Sequence, residues 1–583
     1  MDSEEFRRAA LSSIDEIVKY YDHISERRVV STVEPGYLRE ILPNEAPDKG
    51  ERWEDIQKDI EAKIMPGITH WQHPSFHAFF PCASSYPSML GELYSAALSG
   101  ACFNWICSPA VTELETIVLD WLAKLLGLPA TFLSTGPTNG GGVIQGSASE
   151  AVLTAMVAAR EKYLHEKLPP RPQGQNDDDD VDQEREDALA HLRARMVALG
   201  SSMAHSSTRK AAKVLGLRFE TIAVTDGHVS SSPPGTSDAR GADMTTGKGG
   251  YALTGPALLA KLRDCRARGL EPFFLTATLG TTDTCAVDDF SGIAEALAQF
   301  RAECREGPGG DGAGEVWVHV DAAYAGTALV CPEVQDAIGV RGTARDTSAQ
   351  IENETGTPKA ANVTARSGVF DTFHSFDTNM HKWLLTHFDA SCLYVRDRSW
   401  FVRALGVGQA VYHNAASSGG LVTDYREWQI PLGRRFRALK IWFVLRSFGA
   451  EGLRAHIRRT ARLGALFAEL LLSEEAQGMF ELLAGPRFAL TVFRMAGRGP
   501  SRAMAGKGKV EGEETEKNTL TRKLYEKINH SGKVWVTSTV LEGRFAIRFM
   551  TGVWKTEEEH VRMAHSLFVD LAREVLAEQP TAN

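Results

Sequence analysis

The chain has 583 residues, too many for one hydrophobic core, so two or three packing units are expected. Hydrophobic residues make up 43% and charged residues 24%, the balance of an ordinary globular protein, which confines disorder to local segments. A net charge of −10 excludes general attraction to nucleic acid or to an anionic membrane, since either needs a concentrated basic face.

The N-terminus opens without a basic segment followed by an apolar run, and no apolar stretch approaches the roughly 18 residues of a membrane span. No targeting or anchoring segment is expected. Phe6, Ala10, Ile14, Ile17 and Tyr21 then recur at helical spacing and predict one apolar stripe, which must dock on the chain's own body or on a second subunit. The eight cysteines show no C-x-x-C spacing, which points to a reducing compartment and a cytoplasmic location.

From about Val143 to Val395, apolar strand-like runs alternate with amphipathic stretches: MVALGSS, RFETIAV, PFFLTATLG, VWVHVDAA, GVFDTFHSF and SCLYVRD. That alternation predicts an α/β fold whose sheet is mixed but mostly parallel, with ligands at the carboxyl ends of its strands. Long helices follow Trp428, then the strand-like runs FALTVFR, KVWVTSTV and RFAIRFM and a closing helix with Val561, Ala564 and Leu567. The expected division is residues 1–90, 91–425 and a smaller α+β domain over 426–583, with the last boundary between Thr423 and Arg434.

Four polar segments, near 169–187, 226–250, 341–368 and 497–517, read as surface insertions. The Asp run in the first lacks the 1-3-5 spacing and turn glycine of a calcium loop, and no metal site is expected. Arg434, Arg435, Arg437 and Lys440 are interleaved with Phe436, Leu439, Ile441 and Trp442, which predicts a partly buried helix rather than a basic face.

Three stretches carry chemistry. In His319-Val320-Asp321-Ala322-Ala323-Tyr324 an apolar run ends in a carboxylate followed by small residues that let a flat ring lie against the backbone. A turn or helix cap is the plainer reading of Asp321. Lys382, in Asn379-Met380-His381-Lys382-Trp383, sits among apolar residues whose desolvation frees an amine for Schiff-base chemistry; a snorkelling surface lysine is the alternative.

Small residues around Ser147, Ala148 and Ser149 precede a helix, where open N–H groups and the helix dipole suit a phosphate, although an ordinary capped helix accounts for them equally. The same stretch fails both as a nucleophile elbow and as a dinucleotide fingerprint. Phosphate seat, strand-end carboxylate, desolvated lysine and His205 are together the parts that pyridoxal phosphate requires.

With these motifs on the page, the chain resembles the aromatic L-amino acid decarboxylases of the group II pyridoxal-phosphate decarboxylases. MPGITHW, ASSYPSML, SPAVTELE, GGGVIQGSASEA, ATLGTT, HVDAAYAG, NMHKWLL and LVTDYREWQIPLGRRFR carry the resemblance over nearly the whole length outside the insertions. It implies the aspartate aminotransferase-like fold (fold type I), a homodimer with active sites at the subunit interface, and an N-terminal segment packed on the partner.

By resemblance, Lys382 holds the cofactor, Asp321 pairs with its ring nitrogen, His205 stacks on the ring and Ala323 packs on the opposite face. Ser147, Ala148, Ser149 and Asn379 hold the phosphate, while Thr282 and His381 line the surroundings. Tyr412, the only tyrosine between Arg403 and Gly420, would protonate the α-carbon, with His413 the competing acid. The resemblance also places Trp71, Phe79, Phe80, Pro81, Phe103 and Phe388 around the substrate side chain, with space for an indole at Gly433.

No arginine or lysine occurs within 71–82 or 101–105, which disfavours a substrate with a second carboxylate. Tryptophan, tyrosine and dopa remain as the small-molecule partner. Phe79, Cys82 and Ala101 depart from the animal pattern, so recognition of a catechol does not follow. An aldehyde synthase on the same fold and a catalytically silent scaffold are the rival expectations.

Overall fold

The computed structural model describes residues 1–168, 183–227, 250–306, 315–340, 368–406, 422–497 and 507–578. Its strands are β1 (Phe76–His77), β2 (Gly141–Gln145), β3 (Met196–Ser201), β4 (Arg218–Ile222), β5 (Glu271–Thr278), β6 (Trp317–Asp321), β7 (Ser375–Asn379), β8 (Ser391–Val395), β9 (Phe480–Arg487), β10 (Leu490–Met495), β11 (Trp535–Leu541) and β12 (Arg544–Met550). The helices that bear on the site and its support are α1 (Ser3–Asp22), α2 (Tyr86–Ala97), α3 (Pro109–Leu125), α4 (Ala148–Lys167), α5 (Ser206–Val214), α6 (Met380–Trp383), α7 (Ala438–Leu471), α8 (Lys507–Ser531) and α9 (Glu558–Ala577).

The chain forms two compact units. The larger, Ala83–Arg459 with Ala484–Phe488, is built on a seven-stranded sheet of order β2-β8-β7-β6-β5-β3-β4. Strands β3 to β7 are mutually parallel, and β2 and β7 both pair antiparallel with β8, so β8 alone opposes the rest. Every residue of β2, β3, β6, β7 and β8 is buried, which is why these runs read as continuous apolar stretches rather than alternating ones. The stretch GVFDTFHSF departs from its strand-like reading: Val369–Thr372 is a 3₁₀ turn and the strand starts at Ser375.

The other unit, Met1–Cys82, Thr460–Leu483 and Ala489–Asn583, contains most of a five-stranded sheet of order β1-β11-β12-β10-β9. Its core gathers Phe467, Phe493, Phe549 and Phe568, with Phe467 and Phe549 stacked at 3.6 Å. Helix α9 contributes Val561, Ala564, Phe568, Ala572 and Val575, one buried stripe at helical spacing.

These units cut the chain elsewhere than at residues 90 and 425. The N-terminal segment shares a unit with the C-terminal strands because β1 pairs in parallel with β11, Phe76 opposite Trp535. The larger unit runs past 425 to Arg459 because Arg434 and Lys440 are tied into it by Glu115 and Glu92. Parts of two expected insertions are regular structure: Gln183–Arg195 is helical, and α8 starts at Lys507.

Helix α1 forms where expected, with a capping box on Asp2 and Glu5. Of its stripe, Tyr21 is buried while Phe6, Ile14 and Ile17 are exposed. Among the described residues no helix is long and apolar enough to cross a membrane, and all eight cysteines are free.

Candidate active site

Because β2 to β7 share one direction, their carboxyl ends lie along one edge of the sheet, where such sheets bind ligands. Five of the six ends deliver residues singled out in the sequence. Strand β2 runs through Gly146 to Ser147, the N-cap of α4, whose hydroxyl accepts the Glu150 N–H at 3.2 Å. The Glu150 carboxylate turns back to accept the Gly146 N–H at 2.9 Å. The N–H groups of Ala148 and Ser149 bond to no acceptor among the described residues. Asn379 lies level with this turn, since Asn379 pairs with Ser391 and Ser391 with Gln145.

After β3 the chain reaches His205, the N-cap of α5. Its Nδ1 accepts the Ser207 N–H at 3.2 Å and lies 2.9 Å from the Ser207 hydroxyl, so the neutral ring carries its proton on Nε2. The ring itself is exposed, free to lie on a bound group. Thr282 is half-buried in the turn after β5.

Asp321 closes β6, level with Thr278 of β5 and Asp377 of β7. Its Oδ1 accepts the Ala323 N–H at 3.1 Å, and the Ala323 carbonyl accepts the Asn379 N–H at 3.0 Å, which binds the two strand ends together. Three residues beyond Asn379 is Lys382, half-buried between His381 and the fully buried Trp383. The Lys382 charge acts on both Asp377 and His381, and the Asp321 charge also acts on Asp377, so the lysine and both carboxylates form one electrostatic neighbourhood.

Burial, with help from Lys382, lowers the His381 pKa to about 3, so this imidazole is neutral. Its Nδ1 accepts the Ala390 N–H at 2.9 Å, and its ring lies 4.2 Å from that of Phe388.

Sequence reasoning missed the polar support beneath Asp321. His319 is fully buried two residues earlier on the same strand face and approaches Asp377 at 3.1 Å, off the hydrogen-bond direction, so neither Asp377 oxygen has an aligned donor. Burial first, then Asp321, raises the Asp377 pKa to about 6, against the pull of His319 and Lys382. Burial likewise takes Asp288 up to about 7, although its oxygens accept the Leu253 and Thr278 N–H groups, each at 2.7 Å. The signal was present: in the buried run VWVHVD two polar residues stand two apart and therefore on one face.

The residues expected around a substrate fall in both units. In the N-terminal unit Trp71 stacks on Phe79 at 5.6 Å, Phe79 meets Trp535 edge-on at 5.4 Å, and Pro81 is buried. The Arg548 guanidinium lies 5.2 Å over the Phe80 ring, a cation supplied from β12 rather than from the stretches 71–82 or 101–105. In the larger unit Phe103 is half-buried, Phe388 is exposed, and no atom of the described residues lies within 4 Å of a Cβ built on Gly433. Tyr412 and His413 lie outside the described residues.

These residues fit pyridoxal phosphate. Two N–H groups without protein acceptors at the start of a 20-residue helix suit its phosphate, a strand-end carboxylate suits its ring nitrogen, and a half-buried amine is at hand to bond its aldehyde. Asn379 adds a buried Oδ1 that has no partner among the described residues.

Comparison with known proteins agrees with this fit. The pyridoxal-dependent decarboxylase conserved domain matches residues 35–235, 246–350 and 359–496. Tyrosine decarboxylase 2 of Narcissus pseudonarcissus is 38% identical over 577 residues, 99% of this chain and 96% of that protein. Phenylacetaldehyde synthase of Arabidopsis thaliana is 39% identical, over 99% of this chain and 97% of that protein. The crystal structure of Oryza sativa TDC with PLP and tryptamine superposes with a TM-score of 0.78 at 31% identity, covering 98% of this chain and 99% of that one. The chain therefore belongs to the pyridoxal-dependent decarboxylases, and its cofactor is pyridoxal phosphate.

Proposed function

We propose that the protein removes the carboxylate of an aromatic L-amino acid, giving the arylalkylamine and carbon dioxide. The observation that carries this reading is the single sheet edge on which Ser149, His205, Asp321, Asn379 and Lys382 all emerge. Full-length similarity to tyrosine decarboxylase 2 supports the aromatic substrate.

When bound, the cofactor supplies an electron sink for the pair left behind as carbon dioxide departs. Lys382 would hold it through the ε-amine. Asp321, fixed by the Ala323 N–H, keeps the ring-nitrogen proton in place. Ser147, Ala148, Ser149 and Asn379 hold the phosphate, with the α4 dipole adding to the N–H groups. The His205 ring, its tautomer fixed by Ser207, would stack on the cofactor ring, and Ala323 would pack on the opposite face. Thr282 and His381 line the surroundings, and Tyr412 returns a proton to the α-carbon, with His413 as the alternative acid.

Trp71, Phe79, Phe80 and Pro81 of one unit and Phe103 and Phe388 of the other are the apolar residues we assign to the substrate ring, and a Gly433 clear of other described atoms favours an indole. We rank tryptophan first among the candidate substrates, then tyrosine and dopa. A homodimer completes the reading: Phe6, Ile14 and Ile17 on α1 and Leu90, Leu93 and Leu98 on or beside α2 are exposed apolar residues that a second copy would cover. A cytoplasmic location accords with eight free cysteines.

One relative is a phenylacetaldehyde synthase, which favours as second reading an oxidative reaction that consumes molecular oxygen and water and releases aldehyde, carbon dioxide, ammonia and hydrogen peroxide. Purified protein given tryptophan, tyrosine, dopa, phenylalanine or glutamate distinguishes them. Amine equal to carbon dioxide supports decarboxylation; peroxide equal to carbon dioxide overturns it in favour of the synthase, and turnover of glutamate alone overturns the aromatic assignment.

A further inference from the structure

The turn from Leu385 to Ala390, which returns the chain from the cofactor lysine to β8, is held by more ionic contacts than a connection of its length needs. Asp389 is its hub. Its Oδ2 accepts the Arg437 Nε–H at 2.9 Å, and its Oδ1 lies 3.3 Å from the Arg435 guanidinium and 3.7 Å from the Lys440 Nζ. Lys440 is wholly buried, and its remaining anion is Glu92 of α2 at 3.3 Å. Glu92 also pairs with Arg435 and lies 3.6 Å from His387.

The same turn is strapped to the start of α2. The Ser85 hydroxyl donates to the Leu385 carbonyl at 2.6 Å, and the Ser88 hydroxyl accepts the His387 N–H at 2.9 Å. Gly91 is required there, because a Cβ would stand 2.5 Å from the Lys440 Cα.

Two groups already placed at the site hang on this hub. Phe388 precedes Asp389 and presses its ring on that of His381, which in turn precedes Lys382. Gly433 lies two residues before Arg435, so the strand of chain that leaves room for the substrate ring is tied to the turn that bears Phe388. A carboxylate gripped by three cations fixes both position and direction, whereas a neutral amide in its place keeps the shape and loses most of the grip.

We propose that Asp389 is a positioning residue for substrate specificity, which through Arg435, Arg437 and Lys440 holds Phe388 against His381 and sets its distance from the Gly433 segment. The proposal rests on the aromatic decarboxylase reading and deepens it. In this proposal Asp389 acts through Phe388, although its Oδ2 also lies 3.6 Å from a Cβ built on Gly146, which is why cofactor binding is measured alongside.

Asp389→Asn, Phe388→Ala and the double variant test this with tryptophan and phenylalanine. Binding of indole-3-propionate, which has the ring and carboxylate but no amine, gives an equilibrium readout. The expected result for Asp389→Asn is a tryptophan KM and an indole-3-propionate Kd each raised about 10-fold, with kcat and the Kd for pyridoxal phosphate within about 3-fold of wild type. Once Phe388 is alanine, Asp389→Asn should add less than about 2-fold, the non-additivity of residues acting as one unit.

Unmoved KM and Kd in Asp389→Asn, additive effects in the double variant, or parallel loss of cofactor binding each overturn the proposal while leaving wild-type decarboxylation intact. Wild-type protein that releases no carbon dioxide from any aromatic amino acid overturns the functional reading instead. Should Asp389→Asn fail to fold, Arg437→Gln removes only the 2.9 Å bond to Oδ2 and leaves Arg435 and Lys440 in place, and the same pattern is required of it at smaller amplitude.

Discussion

Replacing Asp377 by asparagine should stabilise the cofactor-free protein at neutral pH and not in acid. The side chain is wholly buried, neither oxygen has an aligned donor, and its pKa stands at about 6 against the ordinary 3.8. Between those two values the folded protein holds a proton that the unfolded chain has lost. Native stability therefore falls as pH rises through that window, and the full penalty stands above about pH 6. A displacement of about two pH units at about 1.4 kcal/mol each puts the gain from Asp377→Asn on the order of 3 kcal/mol at pH 7.5, shrinking toward zero near pH 4.

Urea unfolding of wild type and variant, followed by tryptophan fluorescence at both pH values and one ionic strength, reads the difference directly. If His319 instead draws net stability from an ionised Asp377, the variant loses stability at pH 7.5, and the reasoning is refuted. A gain of equal size at both pH values refutes it as well, since it would owe nothing to ionisation.

Glu115→Gln leaves Arg434 without its carboxylate, each partner being 1% exposed, and should lower the unfolding free energy from urea titration by about 3–5 kcal/mol, the usual loss for half of a buried ion pair. Gly91→Ala forces the α2 backbone away from Lys440 and should cost about 1–3 kcal/mol, visible as a lower thermal midpoint. Asp321→Asn should lower kcat at least about 100-fold while cofactor still loads, checked by turnover beside the absorbance of bound cofactor; an unchanged kcat would remove Asp321 from the chemistry.

Much of the site was legible because it is local. Each of its parts follows a strand within a few residues, and a parallel sheet gathers strand ends on one edge without any pairing having to be known. The β2 strand was less legible, since Gly141 and Gly142 give it a turn's composition. The reason lies in packing, for a Cβ on Gly142 would stand 2.8 Å from the Tyr394 ring. The union of residues 1–82 with the C-terminal strands was illegible, because periodicity shows that Phe76 can pair but not that Trp535 is its partner. Arg548 over Phe80 escaped notice for the same reason: 468 residues separate them in sequence, and only the fold brings them together.

The same limit hid the Asp389 hub. Arg434, Arg435, Arg437 and Lys440 were expected on one partly buried helix; instead α7 begins only at Ala438, Arg434 and Lys440 are buried and Arg435 is about half exposed, and the carboxylates that neutralise them come from distant segments. Composition registers four cations, and only tertiary pairing separates a structural cluster from a binding face.

The most direct test of the whole account is to load the protein with pyridoxal phosphate, reduce it with borohydride and locate the added mass by peptide sequencing. A phosphopyridoxyl group on Lys382, absent from a Lys382→Ala variant, is the predicted result. The same group on any other lysine, with Lys382 unmodified, would contradict it.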